Sequence, residues 1–516
     1  MPAIPTVTIT VQDNGAPAAL SVPQQNVQLK IGCAIGGVVN QPYATSSPTS
    51  LQSQFVGGPL VEAGGLVCAA GNIVVAVSCP VVTHGTATAV VPTSPGGSTS
   101  VCTVALDATY GAWDTYYVLA KVLTTGVVGT LGAVIQVSLD AGRNYGAPIQ
   151  LATTGVLYLG SGTLTSRVAG GTGVQLTFGA GTLVAGDTYQ FSTFAPQWNG
   201  AGVAAAYAAW QASQYGIAGA GSHHIVGDAM HGGSGTSDIV TIANQINAGT
   251  AIYEYEGAII ELRDTLNPVA WGGSGETEAT WIAALATATS GLTAQPRIAA
   301  DGGCYNTPSA YANAAGGTPA YRRPGAWSHA VRRTQIPLQR RAGRVKDGPL
   351  ATILVNPATD PTDGFIYHDE RVVQGLNAAR IGSMMTWPKK GMGFFVCTEP
   401  MLSAPGSQIT ELVIRNVVDV ACNIGYAACV EEVSDDLLTT SAGTLDPVAL
   451  NVVQGNIQQA LNEGMIQTPL VSAVTATISP TANVQTTGIV PVVISVLPRG
   501  YVNAMTETIS IENGTS

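Results

Sequence analysis

The chain has 516 residues, of which 46% are hydrophobic and only 10% charged, with 62 Gly and 29 Pro. This is too apolar for a disordered protein, and at roughly 100–200 residues per domain it allows about three domains. The net charge of −11 opposes general nucleic-acid binding, because an acidic surface repels phosphates.

No stretch suggests a membrane span. The densest apolar runs, such as 73–77, stop after about five residues, where a crossing helix needs ~20. The start, Met1-Pro2-Ala3-Ile4-Pro5, lacks a basic n-region and an apolar h-region. No secretory signal is therefore expected, and the product is expected to stay in the cytoplasm.

Charge is uneven along the chain: residues 1–200 carry 4 basic and 6 acidic side chains, and 201–516 carry 16 and 25. The two parts are predicted to differ in architecture. Residues 6–11, β-branched at nearly every position and followed by Asp13-Asn14-Gly15, predict a terminal strand. A strand over 26–32, short helices over 50–55 and 60–70, and a buried strand over 73–77 predict an α/β unit. From 85 to 199, runs such as 133–139, 174–178 and 188–194 are separated by Gly, Ser, Thr and Asp at hairpin spacing, which predicts a self-contained β-sandwich or barrel.

From Ala201 the pattern becomes an Ala-rich helix over 203–215, then strands at 225–226, 258–262 and 297–300 separated by helices over 238–246 and 276–289. That alternation predicts a three-layer α/β domain on a largely parallel sheet, extended by a strand over 350–355. Ser407 reads as the N-cap of a helix whose Ile409, Leu412, Val413, Val417, Val420 and Ile424 mark one apolar face. Glu411, Arg415 and Asp419 form an i, i+4 ladder on the other face. Asp446-Pro447 opens a second helix with Leu450, Val453, Ile457 and Leu461 inward. Strands over 474–479 and 489–497 and an alternating tail over 504–511 close the chain.

The domain plan is thus an N-terminal strand arm (1–25), the first part of an α/β core (26–84), an inserted β domain (85–199), an α/β domain (200–345), a core α/β domain (346–480) and C-terminal strands with an arm (481–516). The fold class is multidomain α/β.

Sequence signals for catalysis are weak. No Gly-Lys dipeptide exists, so the common phosphate cradle is missing. Gly232-Gly233-Ser234-Gly235-Thr236 and Gly272-Gly273-Ser274-Gly275-Glu276 lack the last glycine of a nucleophile elbow and read as loops before helices. His223, His224, Asp228 and His231 are the one arrangement that suggests a metal. Adjacent histidines on a strand point to opposite faces, however, so a loop and surface role is preferred. His368-Asp369-Glu370 reads as a solvated turn or interface. The eight cysteines show no paired metal-ligand spacing and read as buried small hydrophobes. No catalytic residue, metal or cofactor is expected.

Eight of the 20 basic residues fall between 322 and 346: Arg322, Arg323, Arg332, Arg333, Arg340, Arg341, Arg344 and Lys346, with no acid among them. Nearby rings are too few for a stacking RNA site, so the stretch reads as an electrostatic interface with acidic protein surfaces, including other copies of this chain.

Four blocks, in order, resemble the contractile tail sheath proteins of bacteriophages and related contractile injection systems. They are 26–37 with 50–60 (Asn-Val-Gln-Leu-Lys-Ile-Gly, then Leu-Gln-Ser-Gln-Phe-Val-Gly-Gly-Pro-Leu), 344–350, 407–421 around Arg415-Asn416-Val417-Val418-Asp419, and 483–501. The resemblance implies a sheath-like α/β core with the 85–199 domain inserted on the outer surface. It also implies a subunit that polymerises as a helical homo-oligomer of stacked rings around a tail tube, meets baseplate and tail terminator proteins, and contracts to drive the tube through a cell envelope. Such a subunit is assembled in the bacterial cytoplasm and resides in the virion tail, with no direct contact to nucleic acid and no membrane insertion. Terminal strands at Thr6, Val7, Thr8, Ile9 and Val11 and at Val492, Val493, Ile494 and Val496, with no evident partner in their own chain, are expected to exchange between subunits. A β-rich capsid decoration protein or adhesin is the alternative, and an α/β hydrolase a weaker one.

Overall fold

The computed structural model describes residues 25–252, 254–311, 319–354, 363–390 and 392–502. The chain divides into two compact units that part between Asn423 and Ile424.

The first unit is built on one sheet. Its elements are β1 (Val27–Gly32), β2 (Pro42–Thr45), α1 (Pro48–Phe55), α2 (Pro59–Ala69) and β3 (Ile73–Ser78), followed after a β-rich stretch by α3 (Gly200–Gln211), β4 (Ser222–Asp228), α4 (Ser237–Gly249), β5 (Ala258–Glu261), α5 (Glu278–Thr289) and β6 (Gln295–Asp301). A hairpin, β7 (Cys304–Pro308) and β8 (Ala320–Pro324), leads into α6 (Gly325–Gln335), and β9 (Met401–Leu402) comes much later. The sheet order is β2-β3-β1-β4-β5-β6-β9, in which β3, β1, β4, β5 and β6 are parallel and the two edges antiparallel. Residues 26–84 and 200–301 therefore belong to a single sheet rather than to separate domains. The expected strand over 350–355 does not form at its described residues, and β9 takes the edge position instead.

Parallel strands are buried on both faces, and helices cover both. Leu29, Ile31, Ile225 and Ile260 pack against Trp210, Ile242 and Leu285 of α3, α4 and α5. On the opposite face Val74, Ala76 and Val226 meet α1, α2 and the Trp327 and Val331 side chains of α6. The helices start where their caps are: Ser47 accepts from Ser50 N before Pro48, and Asn199 and Thr277 cap α3 and α5.

The β-rich stretch forms two main antiparallel sheets, one through Tyr117–Thr124, Val134–Ser138 and Thr188–Phe194, the other through Cys102–Leu106, Val156–Gly160 and Gly171–Phe178. Val118, Ile135, Phe191, Leu176 and Phe178 share one core, which also takes in Tyr321 of β8. It is not self-contained. Asp114 meets Arg323 at 2.8 Å with both side chains buried, and Tyr117 packs its ring against Trp271 and Phe365.

The α6 side of the sheet carries a buried polar row that sequence patterning misses. Lys30 Nζ lies 2.7 Å from His224 Nδ1, and Glu261 accepts from Trp327 Nε1 at 2.6 Å. His329 stands between Asp301 at 2.7 Å and Glu399 at 2.8 Å. Burial pushes Lys30 down to about 7 and Glu261 up to about 8. Burial alone would lower His329, but the two carboxylates raise it to about 9; Glu399, against its own burial, is held at about 2 by Arg333 and His329.

Several surface expectations are thus corrected. His223 and His224 do point to opposite faces, but both are buried, His223 against Tyr207 OH at 2.8 Å. His368 is buried between Glu278 and Glu370 rather than solvated. Arg415 and Asp419 are not an exposed ladder: both are buried, 2.5 Å apart, with Asp419 also 3.1 Å from Arg297.

Those two residues sit on α7 (Leu412–Glu431), which begins later than Ser407 because the intervening residues pair at Pro400 and Glu411. With 20 residues and a mean hydropathy of 1.3 it is long and apolar enough to cross a membrane, contrary to the expectation from short apolar runs. Half of its apolar window is buried within the protein, and the Arg415–Asp419 pair lies along it, which is the pattern of a core helix. Seven of the eight cysteines are buried, with Cys397 partly exposed, and all are unpaired.

Candidate assembly edge

The second unit carries a hairpin. It contains α8 (Pro447–Leu461), β10 (Ala473–Ile478) and β11 (Val492–Leu497). Asp446 caps α8 by accepting from Val448 N, with Pro447 in the first turn, and Val453, Ile457 and Leu461 turn inward. β10 and β11 are antiparallel, with Val474, Ala476 and Ile478 opposite Val496, Ile494 and Val492. Alternation puts Val474, Ala476 and Ile478 in the interior, leaving Ala473, Thr475 and Thr477 outside. Within this unit the fit is close: a Cβ on Gly425 would come within 2.2 Å of Ile494 Cδ1, and one on Gly464 within 2.4 Å of Ile424 Cδ1.

The strand at 489–497 was expected to lack a partner in its own chain, and β11 corrects this. One edge is paired at home. What remains is the other edge, and the geometry defines it. Two glutamines one turn apart on α8 close the far side of β10: Gln458 Oε1 accepts from Ala476 N at 2.8 Å, its Nε2 donates to Val474 O at 3.0 Å, and Gln454 Oε1 accepts from Ile478 N at 3.1 Å. The even-numbered residues of β10 therefore aim their backbone groups at α8. In an antiparallel ladder these groups alternate in direction, so the exchanged bonds to β11 run through Ala473, Thr475 and Thr477 to Leu497, Ser495 and Val493. It follows that Val492, Ile494 and Val496 turn their N–H and C=O groups to the open edge. Among the described residues no strand pairs there. Pro491 and Pro498 bracket it, so the open run is short and its register is limited.

The solvent face of β11 carries two large apolar side chains on either side of Ser495. Val493 is 59% and Leu497 60% exposed. Gln454 and Gln458 were not picked out from sequence, where an i, i+4 pair of glutamines signals nothing more than a polar helix face. Thr6, Val7, Thr8, Ile9 and Val11 lie outside the described residues, as does the tail over 504–511.

The basic stretch divides in two. Arg322 and Arg323 are buried and paired with Asp264 and Asp114. Arg332 donates to the carbonyls of Asp347, Gly348 and Pro349, and Arg333 to those of Leu338 and Arg340, with Glu399 3.5 Å away. These four hold the first unit together, and their burial keeps them from facing a neighbouring molecule; the acids paired with Arg322, Arg323 and Arg333 are distant in sequence, which is why the stretch looks unpaired. Arg341 grips Glu411 and is mostly covered. Only Arg340, Arg344 and Lys346 remain near the surface, the two arginines sharing Asp347 at 3.3 and 2.7 Å.

Among solved structures, the chain is similar to the sheath tail protein of Desulfitobacterium hafniense, with a TM-score of 0.41 and 10% identity over 96% of this chain and 100% of that one. It is similar to a sheath tail protein of Listeria innocua at a TM-score of 0.38 and 10% identity, covering 91% and 94%. The sheath complex of an extracellular contractile injection system in its contracted state gives 0.34 and 12%, covering 52% and 68%. All three neighbours are sheath proteins. No family model and no curated protein matches the chain.

Proposed function

We propose that this chain is a structural subunit of a contractile tail sheath. It polymerises around a tail tube, as stacked rings of identical copies in a virion or related injection system, and contraction drives the tube through the target envelope. Energy stored at assembly drives that motion, so the reading needs neither catalysis nor a cofactor. The tube, baseplate and terminator contacts, the outer-surface β-sandwich or barrel over 85–199 and assembly in the host cytoplasm belong to the same proposal. The ordered sequence blocks support it, and the observation that carries it is the open edge of β11.

A strand from a second copy added there would meet the outward groups of Val492, Ile494 and Val496. Four to six added backbone bonds at ~0.5–1.5 kcal/mol each amount to several kcal/mol per link, enough to keep subunits joined while their domains rearrange. The β-branched segment with Thr6, Val7, Thr8, Ile9 and Val11 is the strand we assign to that edge.

Deleting residues 1–14 tests the assignment. The variant is expected to keep the circular dichroism of the full chain and to sediment as a monomer under conditions in which the full chain forms large polymers. Unchanged polymers would remove the N-terminal strand from the account, and an unfolded variant would place that strand in the subunit's own core.

A further inference from the structure

The side chains that β1 and β3 turn towards α3, α4 and α5 end in two cysteines. Parallel pairing puts Leu29 beside Val75 and Ile31 beside Val77, with Gly32 beside Ser78 as the last pair. Residues two apart along a strand share a face, so Cys33 and Cys79 continue this row and stand next to each other. All six side chains lie in one core cluster, and each cysteine is 1% exposed.

The backbone fixes the pair just beyond the strands. Cys79 N donates to Gly32 O at 3.0 Å, which carries the ladder one step further, and Cys33 O accepts from Leu60 N at 3.1 Å, at the start of α2. Neighbouring strands run about 4.8 Å apart, and a disulfide spans ~4.4–6.8 Å between α-carbons, so the spacing needs no backbone movement. Both residues are free thiols. Burial, and then the Cys33 thiol against it, push the Cys79 thiol well above its ordinary value. Cys33 also borders a cavity of about 420 Å³ beyond the carboxyl ends of the parallel strands, with Gly227 and Leu262. Local opening of that wall brings its sulfur to a small reagent.

We infer that Cys33 and Cys79 are a redox pair, free thiols in a reducing medium and a disulfide between the carboxyl ends of β1 and β3 in an oxidising one. A small-molecule disulfide is the oxidant. The Cys33 sulfur attacks one of its sulfurs and expels half of the reagent as a thiol; the Cys79 sulfur then displaces the other half as a second thiol. One S–S bond breaks and one forms, and the two protons and two electrons lost by the cysteines end on the released thiols. The chain leaves β3 directly for the β-rich stretch, so the new bond ties the root of that stretch to the neighbouring strand. The pair is separate from the assembly edge and does not depend on the sheath reading.

The probe is 2-hydroxyethyl disulfide, which is small and uncharged. The full-length chain, reduced and then freed of reductant, is incubated with it for hours, because exchange at buried thiols waits on local opening. Remaining thiols are blocked with N-ethylmaleimide in denaturant, and the protein is cleaved after Lys30, Glu62 and Lys121, which leaves Cys33 and Cys79 on separate peptides. The expected product is those two peptides joined through Cys33 and Cys79. The thermal midpoint of the treated protein is expected to rise by roughly 4–16 °C, and dithiothreitol should reverse both changes. Cys79→Ala is expected to stop at a mixed disulfide between Cys33 and the reagent, without that rise. Folded wild type that keeps both cysteines as blocked thiols, or that carries the reagent on Cys33 without joining it to Cys79, would overturn the proposal, as would joining that proceeds only in denaturant.

Discussion

Replacing His329 by Gln is expected to lower the thermal midpoint of the chain by roughly 6–20 °C at pH 6. The imidazolium is the cation between two buried carboxylates, donating to Asp301 at 2.7 Å and Glu399 at 2.8 Å. A neutral amide leaves Asp301 without a cation. Glu399 keeps Arg333 at 3.5 Å and the Ala342 N–H at 3.2 Å. Breaking a buried ion pair by removing one partner costs ~3–5 kcal/mol, and each kcal/mol moves the midpoint of a large domain by ~2–4 °C.

The cost has a definite pH dependence. His329 is raised to about 9, above the 6.5 of an ordinary imidazole, so its contribution is complete below pH 6.5 and lost as pH rises through 9. Glu399 is lowered to about 2 from 4.5, so its contribution is complete above pH 4.5 and lost as pH falls through 2. The gap between wild type and His329→Gln should therefore be widest between pH 4.5 and 6.5 and should narrow towards pH 9. Taking the difference between the two proteins matters, because Lys30 and Glu261 on the same face titrate near neutrality and bend the wild-type curve. A gap that stays constant from pH 5.5 to 9.5 would mean that His329 carries no proton to lose.

Proline substitutions along β11 are expected to separate assembly from folding. The N–H of Val496 faces the open edge, so Val496→Pro removes a donor that the home ladder does not use; the hairpin should survive and polymers should be lost. The N–H of Val493 faces Thr477 across the ladder, so Val493→Pro should destabilise the hairpin itself, by ~1–3 kcal/mol for the unsatisfied partner. Circular dichroism and sedimentation on the two variants distinguish the effects. If both lose the hairpin, the directions assigned to the backbone groups are wrong; if Val496→Pro polymerises normally, the edge is not a subunit link.

Most elements were legible in the sequence because their signals are local. Asp446-Pro447 starts its helix at the first turn, and the strand at Thr188–Phe194 follows its Gly-Asp turn residue for residue; the helices expected over 50–55 and 60–70 begin slightly earlier, at Pro48 and Pro59. The three-layer arrangement followed from strands alternating with helices. Polar partners distant in sequence were not legible. Lys30 and His224 meet across 194 residues, Arg323 and Asp114 across 209, and Arg297 and Asp419 across 122, so a run of arginines looked like surface charge and an Arg-Asp ladder like a solvated helix face. At the assembly edge the β-branched pattern at 492–496 was visible. Its home partner and the two glutamines that close the other side of the hairpin depend on tertiary placement, which periodicity does not encode.

The central claim is that copies of this chain assemble with one another as a sheath. Negative-stain electron microscopy of the purified full-length chain tests it most directly. The account expects long hollow helical polymers built of stacked rings, and their loss in Val496→Pro at unchanged circular dichroism. Discrete particles from folded wild-type protein at every concentration would contradict it and favour the decoration or adhesin reading.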